Sequence, residues 1–159
     1  MLQIVLRLVH IMSGAVWVGM FVFTNSFLMP ALGDVGPDAG KVMVALAKRR
    51  IMTVMPLLAI LTIGSGIWLM IRFGGGDGGA AMHSPMGRAL GVGALAAIIA
   101  FVLGLTIVRP TMTKLAALGA DPTKRDEIAR LRQRAGTVNQ IVAILLLIAL
   151  GAMAIARYM

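Results

Sequence analysis

The chain contains no cysteine and has only six acidic residues among its 159 positions. Without cysteine it cannot form disulfides, iron–sulfur clusters or thiolate metal sites. All six acids lie in connections between long apolar runs: Asp34, Asp38, Asp77, Asp121, Asp126 and Glu127. Proton-coupled transporters and pumps usually carry a carboxylate at membrane depth. The sequence therefore disfavours pumps and ion-coupled transporters.

The chain also lacks the short motifs GxSxG, HExxH and the P-loop, which disfavours hydrolytic chemistry. Hydrophobic residues make up 59% of the chain, charged residues only 13%, and the mean hydropathy is +0.93. This composition predicts an integral membrane protein. The net charge of +9 is then expected to serve membrane topology and contacts with anionic lipid. The predicted partner is the lipid bilayer, and nucleic acid is not expected.

Four apolar runs are long enough to cross a membrane, at about residues 2–29, 51–71, 89–108 and 138–156. About 20 apolar residues span a bilayer as a helix, in which every backbone polar group is bonded internally. The first run is too long for a cleaved signal segment, so it is predicted to be retained. The sequence therefore predicts a single all-α membrane domain over residues 1–159, folded as a four-helix transmembrane bundle.

The basic residues are distributed unevenly between the two ends of these runs. Eleven of the 15 lysines and arginines lie in the connections between runs one and two and between runs three and four. The positive-inside rule places those connections in the cytoplasm. Both termini are then expected outside, and the predicted location is a bacterial cytoplasmic (inner) membrane. The eleven residues are Lys41, Lys48, Arg49, Arg50, Arg109, Lys114, Lys124, Arg125, Arg130, Arg132 and Arg134.

The third and fourth helices are expected to continue past the membrane on the cytoplasmic side. Asp121 and Pro122 have the pattern of an N-cap followed by proline at the first helical position. Residues 123–136 then form a charged extension of helix four, and residues 111–118 extend helix three. Pro110 is expected to kink helix three.

Helix three carries small residues four positions apart, which allow helix backbones to approach closely. They are Ala96, Ala100 and Gly104, together with Gly87 and Gly91. Such a face can pack inside the bundle or against a second copy of the chain. A homo-oligomer formed through helix three is therefore one expected partner interaction.

One ionisable residue, His10, interrupts the first apolar run. At helical spacing it shares a face with Ser13, Trp17, Phe21 and Thr24. An imidazole that faces lipid is costly, so this face is predicted to point into the bundle.

Three roles for His10 are compatible with the sequence. It can form a hydrogen bond to another helix, or serve as an axial ligand to a haem held between helices. It can also bind copper with the help of methionine thioethers. The only other histidine, His83, lies between two methionines in the second connection. The candidate copper ligands are His10, Met12, Met82, His83 and Met86.

A second polar set is expected near the cytoplasmic end of the bundle. It includes Asn25, Arg50 and Asn139. Arg50 can pair with a haem propionate or a lipid phosphate, and basic residues at span ends also anchor to headgroups without any specific ligand.

The first half of the chain carries a recognisable set of residues: His10, Trp17 and Gly19, then Pro30-Ala31-Leu32, then Arg49-Arg50, Pro56, Thr62 and Gly66. In these residues it resembles the copper-resistance D-like (CopD-like) family of small membrane proteins. The likeness covers about residues 1–70 and also extends to the HemJ-type protoporphyrinogen oxidases, which are haem-associated membrane proteins.

This resemblance implies that His10 is a metal or haem ligand and that Trp17 and Arg50 line the site. Together with the residues above, it predicts a small membrane protein that binds haem b or is otherwise redox-associated, with His10 as axial ligand. A copper-binding or copper-transfer protein is the first alternative. A non-enzymatic membrane subunit or oligomeric scaffold is the second.

Overall fold

A computed structural model of the chain describes residues 1–35, 39–75, 80–118 and 122–159. Within these ranges the chain is helical apart from short turns and the chain ends. Four helical segments there are long and apolar enough to cross a membrane: Leu2–Val35, Ile51–Phe73, Pro85–Leu115 and Asp126–Ala156. The predicted all-α architecture with four apolar helices is confirmed.

The first half of the chain contains two long helices and one short helix. Helix α1 (Leu2–Phe23) continues through a π-helical turn (Thr24–Leu28) into α2 (Met29–Val35), and α3 (Ala39–Lys48) and α4 (Ile51–Phe73) follow. The first long helix therefore extends beyond the predicted end at residue 29. Pro30-Ala31-Leu32, expected just after this helix, lies within it.

The second half also contains two long helices. The short α5 (Ala80–His83) precedes α6 (Pro85–Leu103), which continues through a second π-helical turn (Gly104–Val108) into α7 (Arg109–Leu118). A 3-10 turn (Pro122–Lys124) then leads into α8 (Arg125–Ala156).

The third and fourth long helices continue beyond the predicted spans, and the cytoplasmic location of their extensions stays a prediction. Helix α8 has 32 residues, so it is about 48 Å long, whereas the hydrocarbon core of a bilayer is about 30 Å thick. At least one end of α8 must therefore stand outside the hydrocarbon. The predicted N-cap residue Asp121 lies outside the described residues, and the α-helix itself begins at Arg125.

Both π-helical turns end two residues before a proline. The Met29 N–H donates to the carbonyl of Thr24, and the Arg109 N–H donates to the carbonyl of Gly104, each across five residues. A proline ring collides with the carbonyl four residues earlier in a regular α-helix. The wider π turn relieves this collision at Pro30 and Pro110, and the predicted kink at Pro110 stays a prediction.

The bundle is built from two closely packed helix pairs, α1 with α4 and α6 with α8. The core where they meet includes Trp17, Ala59, Ala100, Val142 and Leu146. Large apolar side chains elsewhere on the four helices are exposed, as expected for surfaces that contact lipid.

The small residues of helix three pack mainly inside the chain. Ala96 and Ala100 are buried, and a Cβ added at Gly93 would lie 3.2 Å from the carbonyl oxygen of Ala149 on α8. Of the two predicted uses of the small-residue face, these residues therefore follow the first, packing inside the bundle. A homo-oligomer through helix three stays a prediction, and it would have to use residues of that helix other than Gly93, Ala96 and Ala100.

Candidate functional site

The side chain of His10 makes a hydrogen bond from α1 to the backbone of α4. Its Nδ1 atom lies 2.7 Å from the carbonyl oxygen of Thr62 and 3.4 Å from Oγ of Ser65. A carbonyl oxygen only accepts hydrogen bonds, so Nδ1 carries the hydrogen and donates it. In the neutral ring this leaves Nε2 with a free lone pair.

The imidazole fits between the two helices because α4 has a glycine opposite it. A Cβ added at Gly66 would lie 2.8 Å from Cε1 of His10 and 3.1 Å from Nδ1. A Cβ added at Gly14 would lie 3.3 Å from Cγ2 of Thr62. The two glycines therefore permit the close approach of α1 and α4 that brings His10 to the Thr62 carbonyl.

Buried hydroxyl groups surround this hydrogen bond. Thr62 Oγ1 lies 2.8 Å from Oγ of Ser13 and 2.7 Å from the carbonyl oxygen of Leu58. Ser13 donates to the carbonyl of Val9 at 2.6 Å, and Ser65 lies 3.1 Å from the same Thr62 oxygen that accepts from His10. Ser13 and Trp17 of the His10 face are buried and His10 is half-buried, so the predicted inward orientation of this face is confirmed.

The structure does not gather the other predicted cofactor-binding residues around His10. Trp17 is buried, with 3% of its surface exposed, but it lies about 10 Å farther along α1. Arg50 is exposed at the start of α4, about 18 Å along that helix from Thr62. Its φ of 57° places it in the left-handed region, which fits its position in the tight turn between α3 and α4.

The predicted copper ligands in the second connection belong to a compact turn. His83 is exposed, whereas Met82 and Met86 are half-buried. The Ser84 hydroxyl accepts a hydrogen bond of 3.0 Å from the Gly87 N–H and so caps α6. A Cβ added at Gly87 would lie 2.7 Å from Cα of Met82. This part of the connection is helical and tightly packed.

The described ranges contain no group of three or more histidines, cysteines, aspartates or glutamates that could hold a metal ion. Met12, the candidate ligand next to the His10 face, has 61% of its surface exposed. It therefore lies on the face of α1 that points away from the other helices. Copper binding by His10 with these methionines stays a prediction.

The second polar set is only partly assembled. Asn25 donates one hydrogen bond to the carbonyl of Phe21, at 3.1 Å, and another to the carbonyl of Asn139 on α8, at 3.0 Å. Asn139 is buried. Asn25 therefore connects the first and last long helices through a hydrogen bond.

The sequence did not predict a cavity of about 150 Å³ between the two helix pairs. We call it the interhelical groove. Its walls come from α1 and its π turn, from α4, and from α6 with the second π turn, and Asn139 of α8 also borders it. Trp17 contributes to this groove. The sequence offers only an indirect signal for it, the two prolines, Pro30 and Pro110, that follow the π turns.

No family model matches this chain, and comparisons with curated proteins and with solved structures find no significant relative.

Proposed function

We propose that the protein is a small integral membrane protein that holds a haem b, with Nε2 of His10 as the axial ligand. The observation that carries this proposal is the 2.7 Å hydrogen bond between Nδ1 of His10 and the Thr62 carbonyl. A histidine that binds a metal usually donates its other ring N–H to a carbonyl or carboxylate, which fixes the tautomer and the ring orientation. The donor chemistry of His10 therefore fits an axial ligand.

The surrounding residues would hold the ligand in position. Gly66 leaves room for the ring, and the Thr62 carbonyl orients it. The hydrogen bond between Thr62 and Ser13 fixes α4 against α1. A haem bound at Nε2 would supply one-electron redox chemistry, tuned by the hydrogen bond on the opposite nitrogen.

The proposal includes an orientation in the membrane. The connections next to α3 and between α7 and α8 lie in the cytoplasm, and both termini and the α4–α6 connection lie outside. The asymmetry of eleven basic residues against Arg7, Arg72, Arg88 and Arg157 supports this orientation. The charged first half of α8 and the end of α7 then extend into the cytoplasm, and the membrane is the inner membrane of a bacterium.

A second candidate function follows from the same contacts. His10 joins a network of hydroxyl groups that already connects α1 to α4. In a non-enzymatic membrane subunit or scaffold, this network would only hold two helices together, with His10 contributing about 1 kcal/mol.

Absorption spectra distinguish the haem protein from the non-enzymatic scaffold. They are recorded on the purified protein in mild detergent, oxidised and dithionite-reduced. The informative variant is His10→Asn, whose amide nitrogen can replace Nδ1 as donor to the Thr62 carbonyl but which has no counterpart of Nε2. His83→Asn is the matched control. We expect Soret and α bands in the wild type and in His83→Asn, and their loss in His10→Asn.

A blank spectrum from haem-replete cells contradicts the haem proposal and leaves the scaffold function. Bands that persist unchanged in His10→Asn contradict the assignment of the axial ligand.

A further inference from the structure

The interhelical groove can enclose part of a hydrocarbon chain. A dry cavity of about 150 Å³ accommodates a group of about six carbon atoms. The groove residues on the first long helix run from Trp17 to Met29, a distance of about 18 Å along the helix. That is roughly half of the hydrocarbon thickness of a bilayer, so the groove spans about one leaflet.

The walls of the deep part of the groove are apolar. They include Phe21, Met55, Ala59 and Phe101. Methionine side chains are flexible and adapt to irregular apolar ligands. This part of the groove suits an acyl chain.

Two hydrogen-bonding side chains interrupt the apolar wall at one level. Asn139 has only 5% of its surface exposed, and Thr24 lies beside Asn25, which bonds to the Asn139 carbonyl. The side chains of Thr24 and Asn139 make no hydrogen bond to any described residue. By contrast, the hydroxyl of Thr106 in the other π turn donates to the carbonyl of Val102 at 2.7 Å.

Thr24 is half-buried, and no enclosed side-chain nitrogen or oxygen of the described residues lacks a hydrogen-bond partner. The Thr24 hydroxyl and the Asn139 amide are therefore accessible from the groove and can donate to its occupant. A ligand with a carbonyl oxygen at this level would satisfy them.

A positive charge lies at the end of the groove. Arg109 follows the second π turn and contributes to the groove wall, and its side chain is exposed. It forms no ion pair with an acid among the described residues. Its position is about 13 Å along the helix from Ala100, which lines the deep end.

The order along the groove is therefore a cation, then uncharged donors, then an apolar channel. We propose that the groove binds an anionic glycerophospholipid from the surrounding leaflet. Its phosphate lies at Arg109, an ester carbonyl accepts from Thr24 and Asn139, and one acyl chain runs toward Trp17. An uncharged molecule would leave the Arg109 guanidinium without a counter-charge. A molecule without any polar group would also leave the Asn139 amide without a hydrogen-bond partner. The proposal is independent of the haem site at His10.

Native mass spectrometry of the full chain in detergent tests this proposal, with phosphatidylglycerol and phosphatidylcholine added at equal concentrations. We expect phosphatidylglycerol to bind more tightly to the wild type. Arg109→Gln should weaken its binding about fivefold and reduce the difference between the two lipids. Arg72→Gln is the matched control. Arg72 lies near the C-terminal end of α4, is not a groove residue, and has its guanidinium 5.1 Å from the centre of the Trp68 ring.

A second pair of variants tests the groove itself. Gly104 borders the groove, and a Cβ there would meet no atom within 4 Å, so the side chain in Gly104→Leu begins in free space beside the groove. Gly91→Leu is its control, because Gly91 has the same free space and is not among the groove residues. We expect Gly104→Leu to abolish lipid binding and Gly91→Leu to retain it.

The proposal is overturned if both lipids bind equally to the wild type, or if Arg109→Gln and Gly104→Leu bind phosphatidylglycerol as their controls do. It is also overturned if the wild type retains a phosphate-free molecule that Gly104→Leu excludes, because the occupant would then belong to another class.

Discussion

His10 and Gly66 are in contact across the boundary between the first and second long helices, and a single Cβ at Gly66 would come within 2.8 Å of the imidazole carbon Cε1. The ring cannot retreat without losing its 2.7 Å hydrogen bond to the Thr62 carbonyl. The position of His10 is thus set by the absence of a side chain on the neighbouring helix. This dependence leads directly to the first prediction.

Gly66→Ala should displace His10 and destabilise the protein. Overpacking a close contact typically costs about 1–3 kcal/mol. Gly64→Ala is the matched control, since a Cβ there meets no atom within 4 Å. We expect a lower unfolding midpoint for Gly66→Ala in detergent and little change for Gly64→Ala. Equal midpoints for the two variants would show that α1 and α4 are not in the close contact described.

Thr62→Val should weaken the hydroxyl network while preserving the shape of the side chain. The change removes the bonds to Ser13 and to the Leu58 carbonyl, and hydrogen bonds between membrane helices contribute about 0.6–1.7 kcal/mol. We expect a loss of that size in the free energy of unfolding. Thr106→Val is the control because its hydroxyl bonds only within its own helix. A larger loss in Thr106→Val would contradict the prediction.

Asn25→Leu should loosen the contact between the first and last long helices. The substitution removes the hydrogen bond from Asn25 to the Asn139 carbonyl, at an expected cost of about 1 kcal/mol. The nearby Ser26 is exposed, so Ser26→Ala serves as the control in the same π turn. The free energy of unfolding of both variants is the quantity to compare. If Asn25→Leu proves as stable as Ser26→Ala, this hydrogen bond does not stabilise the bundle.

The proposed orientation can be measured by cysteine labelling, since the natural chain has no cysteine. Single cysteines at Lys124 and Arg157 should behave oppositely toward a membrane-impermeant maleimide. In cells with a permeable outer envelope and an intact inner membrane, Arg157→Cys should be labelled. Lys124→Cys should react only after the inner membrane is permeabilised. The reverse pattern would invert the topology, and the unlabelled wild type gives the background.

The sequence was sufficient for features that depend on one helix at a time. Hydropathy located the four long helices, and the 3.6-residue period predicted that Ser13 and Trp17 would face inward, as they do. Features that depend on two helices were not predictable. Nothing in the sequence indicates that Gly66 lies against His10, because that contact depends on which helices are neighbours and at what height.

The interhelical groove illustrates the same limit. Trp17, Thr24 and Asn139 are far apart in sequence, and the space between them exists only because the two helix pairs do not pack completely. Arg50 was predicted as a site residue from the family resemblance, beside its charge and its place near a helix start. The structure shows it exposed in a turn, where charge alone does not indicate proximity to a ligand.

The two π turns divide each of their helices into segments that can change separately. A π turn holds one residue more than an α-helical turn, and removing that residue restores the regular hydrogen-bond pattern. A one-residue deletion in the Thr24–Leu28 or Gly104–Val108 turn would convert it into an α-helical turn, which changes the groove wall at that turn and leaves the orientation of the flanking segments nearly unchanged. The contacts between α1 and α4 around His10 would be retained. Single-residue insertions and deletions at these two turns are therefore a route by which evolution could redesign the groove end of the bundle while leaving the histidine end intact.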